Sequence, residues 1–284
     1  MKIGTREDRE LDVDLKRGPV LAFDPGGKWL AGGNGDGEIY LWSLPDLARV
    51  DGPAPSENPI DALAFRRDEP VLVHVGSMGD IVCWHLEERR ELPLTYDTPR
   101  RRPPVGCVAV SPDGELLVAG SSDADAPRNP VFVWRARDGR FLGPLFGHSA
   151  PVRALAFSPD GKILASGGED GTVRLWDPRT LEEIHTLGDL RGWVRSLAYS
   201  PDGRVLAVAP DQGDQVILWD VAARSELGFL SRLGGFSPAV AFTPDGRYLV
   251  AAANDGRTRV WSFGDLLAPD ASPGKEGSEE GGDK

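Results

Sequence analysis

An all-β fold, a six-bladed β-propeller of four-stranded antiparallel blades, is what the 284-residue sequence predicts, and two periodic features predict it. The first is a tryptophan ruler: Trp42, Trp84, Trp134, Trp176, Trp219 and Trp261 are spaced by 42, 50, 42, 43 and 42 residues. The second is a turn about 18 residues ahead of each of these tryptophans. It reads Ser111-Pro-Asp-Gly114, Ser158-Pro-Asp-Gly161, Ser200-Pro-Asp-Gly203 and Thr243-Pro-Asp-Gly246, with weaker copies at Asp24-Pro-Gly-Gly27 and Arg66-Arg-Asp-Glu69. A repeat of this length is a unit that cannot bury its apolar faces alone, so it stacks on its neighbours.

Within one unit the residue types specify strands. Leu155 to Phe157 alternates, and Pro159 to Gly161 is a turn with φ preset at Pro and freedom at Gly. Leu164 to Gly167 is a strand of small residues that lets sheets approach closely, and Asp170-Gly171 is a tight-hairpin signal. Thr172 to Trp176 is β-branched, apolar and aromatic, and Glu183 to Leu187 makes a fourth, outer strand. Burying one Trp contributes about 4–6 kcal/mol of gross transfer energy, which chain entropy offsets in a lone blade. The expected organisation is a single domain over 1–268, with blades near 19–58, 59–99, 104–146, 151–188, 193–231 and 238–263 plus 9–15.

The unit resembles the WD repeat, most fully in blade four: Gly147-His148, Ser166, Asp170-Gly171 and Trp176-Asp177. The resemblance covers about residues 9–263. It implies that His148, Ser166, Asp170 and Trp176 form a buried structural hydrogen-bond relay and not a catalytic set. Other blades depart from the pattern. The His position holds Asp14, Ser56, Arg101, Leu190 and Leu233, and the Asp after Trp recurs only as Asp220.

The last unit ends soon after Trp261, where Phe263 to Ala268 runs into Pro269, so its fourth strand is missing. Arg9 to Leu15 supplies a candidate, with Leu11, Val13 and Leu15 alternating against Glu10, Asp12 and Asp14. In the family resembled, an N-terminal strand commonly completes the last blade, which implies six closed blades; an incomplete seven, filled by a partner or a second copy, is the competing account. Residues 269–284, rich in Gly, Ser and Glu, are expected to form a disordered acidic tail.

The formal charge of −12 argues against a general nucleic-acid binder. No apolar window approaches a membrane span, and the charged stretch from Met1 to Lys16 is no signal peptide. Only Cys83 and Cys107 are present, too few for a disulfide framework, so a reducing, cytoplasmic setting is expected. The excess of Arg over Lys, with much Ala, Gly and Pro, points to a GC-rich and hence bacterial source.

Departures from the repeat locate candidate sites. From Trp to the next turn takes 24 residues, but 27 from Trp84 to Ser111. From turn to Trp takes 18 or 19, but 23 from Ser111 to Trp134. Both insertions fall on blade three, and both are expected on the top face, where loops from strand d to a and from b to c meet. The first carries Arg100, Arg101 and Arg102, whose guanidinium forks suit carboxylates or phosphates. The second carries Asp123, Asp125 and Arg128; either the two loops form one recognition rim, or the Arg run pairs internally with Asp123 and Asp125 or is merely solvated. Trp193, flanked by Arg191 and Arg195, is either an interface anchor or a cap on its blade, and Phe236 occupies the next equivalent loop.

His74, Cys83 and His85 admit a zinc reading, but His74 stands at the Ser166 position and has a contact with Trp84 as its plainer role, so no metal and no cofactor are expected. Phosphate-loop, zincin, nucleophile-elbow and calcium-loop signatures are absent. The expected function is therefore a non-catalytic scaffold for a protein or peptide on the propeller top face, monomeric unless a partner supplies a blade. The alternatives are a sensor module of a bacterial signalling or defence system and a metal-dependent propeller hydrolase.

Overall fold

The computed structural model describes residues 20–76, 78–95, 104–126, 128–188, 190, 192–231 and 239–263. Within them the chain forms six consecutive antiparallel sheets, the blades of a β-propeller. Blade one comprises β1 (Val20–Phe23), β2 (Trp29–Gly33), β3 (Ile39–Ser43) and β4 (Ala48–Val50). Blade two comprises β5 (Ile60–Phe65), β6 (Val71–Gly76), β7 (Ile81–His85) and β8 (Arg90–Leu92). Blade three comprises β9 (Val105–Val110), β10 (Leu116–Ser121), β11 (Val131–Arg135) and β12 (Arg140–Leu145). Blade four comprises β13 (Val152–Phe157), β14 (Leu164–Gly168), β15 (Val173–Asp177) and β16 (Glu182–Leu187). Blade five comprises β17 (Val194–Tyr199), β18 (Val205–Pro210), β19 (Gln215–Asp220) and β20 (Ser225–Ser231). Among the described residues the sixth sheet has three strands, β21 (Ala239–Phe242), β22 (Tyr248–Ala252) and β23 (Thr258–Ser262). The strand expected at Arg9–Leu15 and the tail expected at 269–284 lie outside the described residues.

The recurring turn joins the first two strands of a blade, and its composition explains itself. Ser158 Oγ bonds Asp160 Oδ1 at 2.7 Å and accepts Ile163 N at 3.0 Å, while Gly161 N donates to Ser158 O at 2.8 Å. Gly161 sits at φ +70°, a left-handed conformation that glycine adopts without strain. Ser111, Ser200 and Thr243 repeat the same bonds. The weak copy in blade two works differently. Arg66 is buried and bonds Asp68 and the carbonyl oxygen of Ala136, tying blade two to blade three.

The first strands pack on one another in succession, β1 on β5, β5 on β9, β9 on β13, β13 on β17 and β17 on β21, which places them nearest the axis. Each of these five junctions holds its own apolar core. Trp84, Trp134, Trp176, Trp219 and Trp261 face the preceding blade: Trp134 lies in the core with Val73 and Cys83, and Trp176 in the core with Val131 and Val133. Because strands alternate in direction, the hairpin between second and third strands and the connection into the next blade share one end. That end is the top face.

Candidate interaction surface

Blade four shows how the top is held. Trp176 Nε1 donates to Ser166 Oγ at 2.8 Å, and Ser166 Oγ lies 2.7 Å from His148 Nε2. His148 Nδ1 reaches Asp170 at 3.0 Å, and Asp170 also accepts Ser149 N and the Thr172 hydroxyl. An ionised carboxylate only accepts, so the imidazole proton sits on Nδ1 and Nε2 takes the hydroxyl proton of Ser166. Burial opposes ionisation of Asp170, but the hydrogen bonds it accepts from His148, Thr172 and Ser149 outweigh it and hold the carboxyl well below the usual carboxylate range. The distances mimic a Ser-His-Asp triad. Yet Ser166 is 0% and His148 1% exposed, and Trp176 occupies the Ser166 oxygen, so no substrate reaches the hydroxyl.

The strand register shows what stands at the Ser166 position elsewhere: Gly32, His74, Ala119, Val208 and Ala251. Loss of the serine leaves an indole in need of an acceptor. Trp134 finds one in the carbonyl oxygen of Thr95 at 2.8 Å. To provide it, Pro93 to Thr95 lies against Gly139, in the turn between β11 and β12 at the opposite end from the top. Pro93 to Thr95 thus run low on the outer edge before the chain enters the first insertion on blade three. Its Arg100, Arg101 and Arg102 lie outside the described residues, as do Arg191 and Phe236.

The second insertion is on the top. Asp123 accepts Asp125 N at 3.2 Å and so shapes its own loop, and Arg128 lies 5.9 Å from the ring centre of Phe146. Asn129, which the sequence reading passed over, pins this loop. It is buried, accepts from Ser121 Oγ at 3.1 Å and donates its backbone N–H to His148 O at 3.0 Å. Farther round, Trp193 is 40% exposed and Arg195 stacks on its ring at 4.8 Å. Asp211 fixes both, taking Trp193 N at 2.7 Å and Arg195 Nη2 at 3.4 Å. Phe146, 55% exposed, and Met78, 69% exposed, add apolar surface to top loops. Met78 replaces the hairpin Asp of blade four and was legible as a departure; Phe146 carried no signal.

The zinc reading fails on register. Cys83 opposes Val73 and His85 opposes Val71, whereas His74 opposes Val82 and shares the face of Trp84. Cys83 and Cys107 are free, buried thiols whose burial pushes them up to about 12, leaving them protonated. Among the described residues no group of three or more His, Cys, Asp or Glu is placed to hold a metal ion, and no helix is long and apolar enough to cross a membrane.

A family model described as "WD domain, G-beta repeat" matches 19–43, 94–125, 139–177, 181–220 and 237–262, more than half of the chain. The longest stretch left out between matches, 44–93, holds blade two, which the structure nevertheless builds as a four-stranded sheet. The chain is 26% identical over 182 residues to "THO complex subunit 6 homolog" of Danio rerio, covering 58% of this chain and 54% of that protein. It is 31% identical over 157 residues to "Periodic tryptophan protein 2" of Arabidopsis thaliana, covering 55% of this chain and 17% of that protein. A third relative, "Target of rapamycin complex subunit wat1" of Schizosaccharomyces pombe, is 27% identical over 117 residues, covering 41% and 34%. The chain spans about half the length of the first of these and less of the others. These relatives are eukaryotic, which corrects the expectation of a bacterial source; an Arg-over-Lys bias reports the base composition of coding DNA and is not confined to bacteria.

Proposed function

The chain belongs to the WD40 repeat family, and from that premise we propose that it is a non-catalytic subunit of a multiprotein assembly, holding a protein or peptide partner on its top face. Two relatives carry the words "complex subunit" in their names, which favours a partner-bound role. The observation that carries the reading is the Trp193–Arg195 pair. Trp and Arg dominate binding energy at interfaces because they bring large contact area, and fixing them beforehand removes the cost of ordering them on binding. Here Asp211 holds both against an exposed surface before any partner arrives. Arg128 on Phe146 repeats the pairing on the neighbouring loop. Arg100, Arg101 and Arg102 extend the proposed rim, and two thiols that stay unpaired fit a reducing compartment such as the cytoplasm.

Affinity capture from the native host, with cross-linking and mass spectrometry, tests this. The double variant Trp193→Ala/Arg195→Glu is expected to lose the proteins that the unchanged chain recovers, and charge reversal of Arg100 to Arg102 to weaken their recovery. Lys162→Glu, in the turn at the opposite end, keeps them. Equal recovery by all variants sinks the top-face assignment.

A further inference from the structure

Blade two lacks the relay of blade four, and a cavity stands in its place. Ser56 occupies the His148 position, and a short hydroxymethyl leaves the volume of an imidazole unfilled. The resulting cavity, about 350 Å³, is lined by Pro53 to Asn58, His74, Asp80, Val82, Trp84 and Glu91. Two polar atoms at its wall are buried and have no hydrogen-bond partner among the described residues, His74 Nδ1 and Trp84 Nε1. His74 is only 4% exposed. Such atoms cost free energy unless something fills the space and bonds them. In blade four the equivalent indole is met by Ser166, and in blade three by Thr95.

The charge of the lining says what that something is. Glu57, Asp80 and Glu91 contribute three carboxyl groups, and among the described residues neither Lys nor Arg lines the cavity. Asn58 Nδ2 reaches Asp80 at 3.4 Å, which turns one carboxylate along the wall. Burial holds the His74 imidazole neutral, pushed down to about 4 despite nearby Asp80, so His74 adds no positive charge. An indole ring beside carboxylates suits an organic cation, which the ring attracts through its face. The indole N–H is a donor only, so the occupant must also carry an acceptor. A guanidinium or ammonium on a peptide meets both needs, its N–H groups on the carboxylates and His74 Nδ1, its backbone carbonyl on Trp84 Nε1.

We propose that this blade-two cavity, opening between the chain that enters the blade and its top hairpin, binds an Arg or Lys side chain of a partner peptide. That the carrier is a peptide rests on the platform reading; the cavity chemistry does not. The test follows the indole N–H resonance of Trp84 in the intact ¹⁵N-labelled chain, assigned by its loss in Trp84→Phe. N-acetyl-arginine methylamide is expected to shift it saturably, and the neutral isostere N-acetyl-citrulline methylamide to leave it in place. Glu57→Gln/Glu91→Gln, at two exposed positions, weakens the arginine probe roughly five- to ten-fold. Methylguanidine, which lacks the carbonyl, binds more weakly than the full probe. No shift, or an equal shift by citrulline, overturns the site; equal binding by methylguanidine overturns the peptide. If the probe fails while Trp193 variants still lose their partners, only the cavity proposal falls.

Discussion

At the scale of single residues, the same side chain has different worth in different blades because its polar atom meets different company. Trp176 and Trp84 stand at one position of the repeat, yet the first is bonded to Ser166 and the second has no partner among the described residues. Ser166→Ala removes an oxygen that serves two buried groups at once, Trp176 Nε1 and His148 Nε2. The expected loss is about 2–4 kcal/mol of unfolding free energy, because both groups keep their desolvation cost without their bond. His74→Ser in blade two supplies a hydroxyl to an orphaned indole and is expected to cost less than Ser166→Ala, even though it deletes a larger side chain. Urea denaturation of both variants decides this. A Ser166→Ala loss below about 0.5 kcal/mol would show that the relay is slack and that apolar packing alone holds blade four.

At the scale of strands and blades, the interlocks are as repetitive as the turns. In the second strand of blades one, three and four a glycine faces the first residue of the next blade: Gly33 faces Ile60, Gly120 faces Val152 and Gly167 faces Val194. A Cβ on Gly167 would lie 2.3 Å from Val194 Cγ1 and 2.7 Å from its Cβ, on the rigid stem of the side chain. Gly167→Ala is therefore expected to destabilise by about 1–3 kcal/mol through overpacking, and Val194→Ala in the same chain to return part of that loss. A double-mutant cycle with no coupling would place the strain elsewhere. Much of this was legible in the sequence, because turns, small-residue strands and tryptophans recur with one period and each recurrence has a local cause. What was not legible depends on neighbours distant in sequence. Arg66 looked like a failed turn residue until Ala136 of the next blade supplied its partner. Asn129 looked like an ordinary loop residue until His148 O came within 3.0 Å. The cavity of blade two is legible as the small Ser56 only once blade four has shown what its absent imidazole would fill.

At the scale of the whole molecule, the remaining question is how the ring is tied. The sixth sheet presents β23 as an edge strand among the described residues, with Val260 58% exposed on it, and the first blade presents Leu21 and Phe23, 59% and 66% exposed. Open apolar edges of this kind invite another strand, from the same chain or from another. We propose that Arg9–Leu15 pairs with β23, laying Leu11, Val13 and Leu15 on one side as strand periodicity requires. A strand tying the last blade to the first converts fraying at either end into a cost borne by the ring. Removing residues 1–16 is then expected to lower the melting temperature by more than about 5 °C, since each kcal/mol moves a domain of this size by about 2–4 °C. Leu11→Asp/Val13→Asp should reproduce most of that drop, whereas Glu10→Lys/Asp12→Lys, on the other side of the same strand, should not. If the truncated chain melts where the full chain does, β23 is not the partner of this segment. If it instead forms dimers whose dissociation lowers the melting temperature, the edge is one that a second chain can occupy, and closure in the monomer is the competition that the N-terminal strand wins.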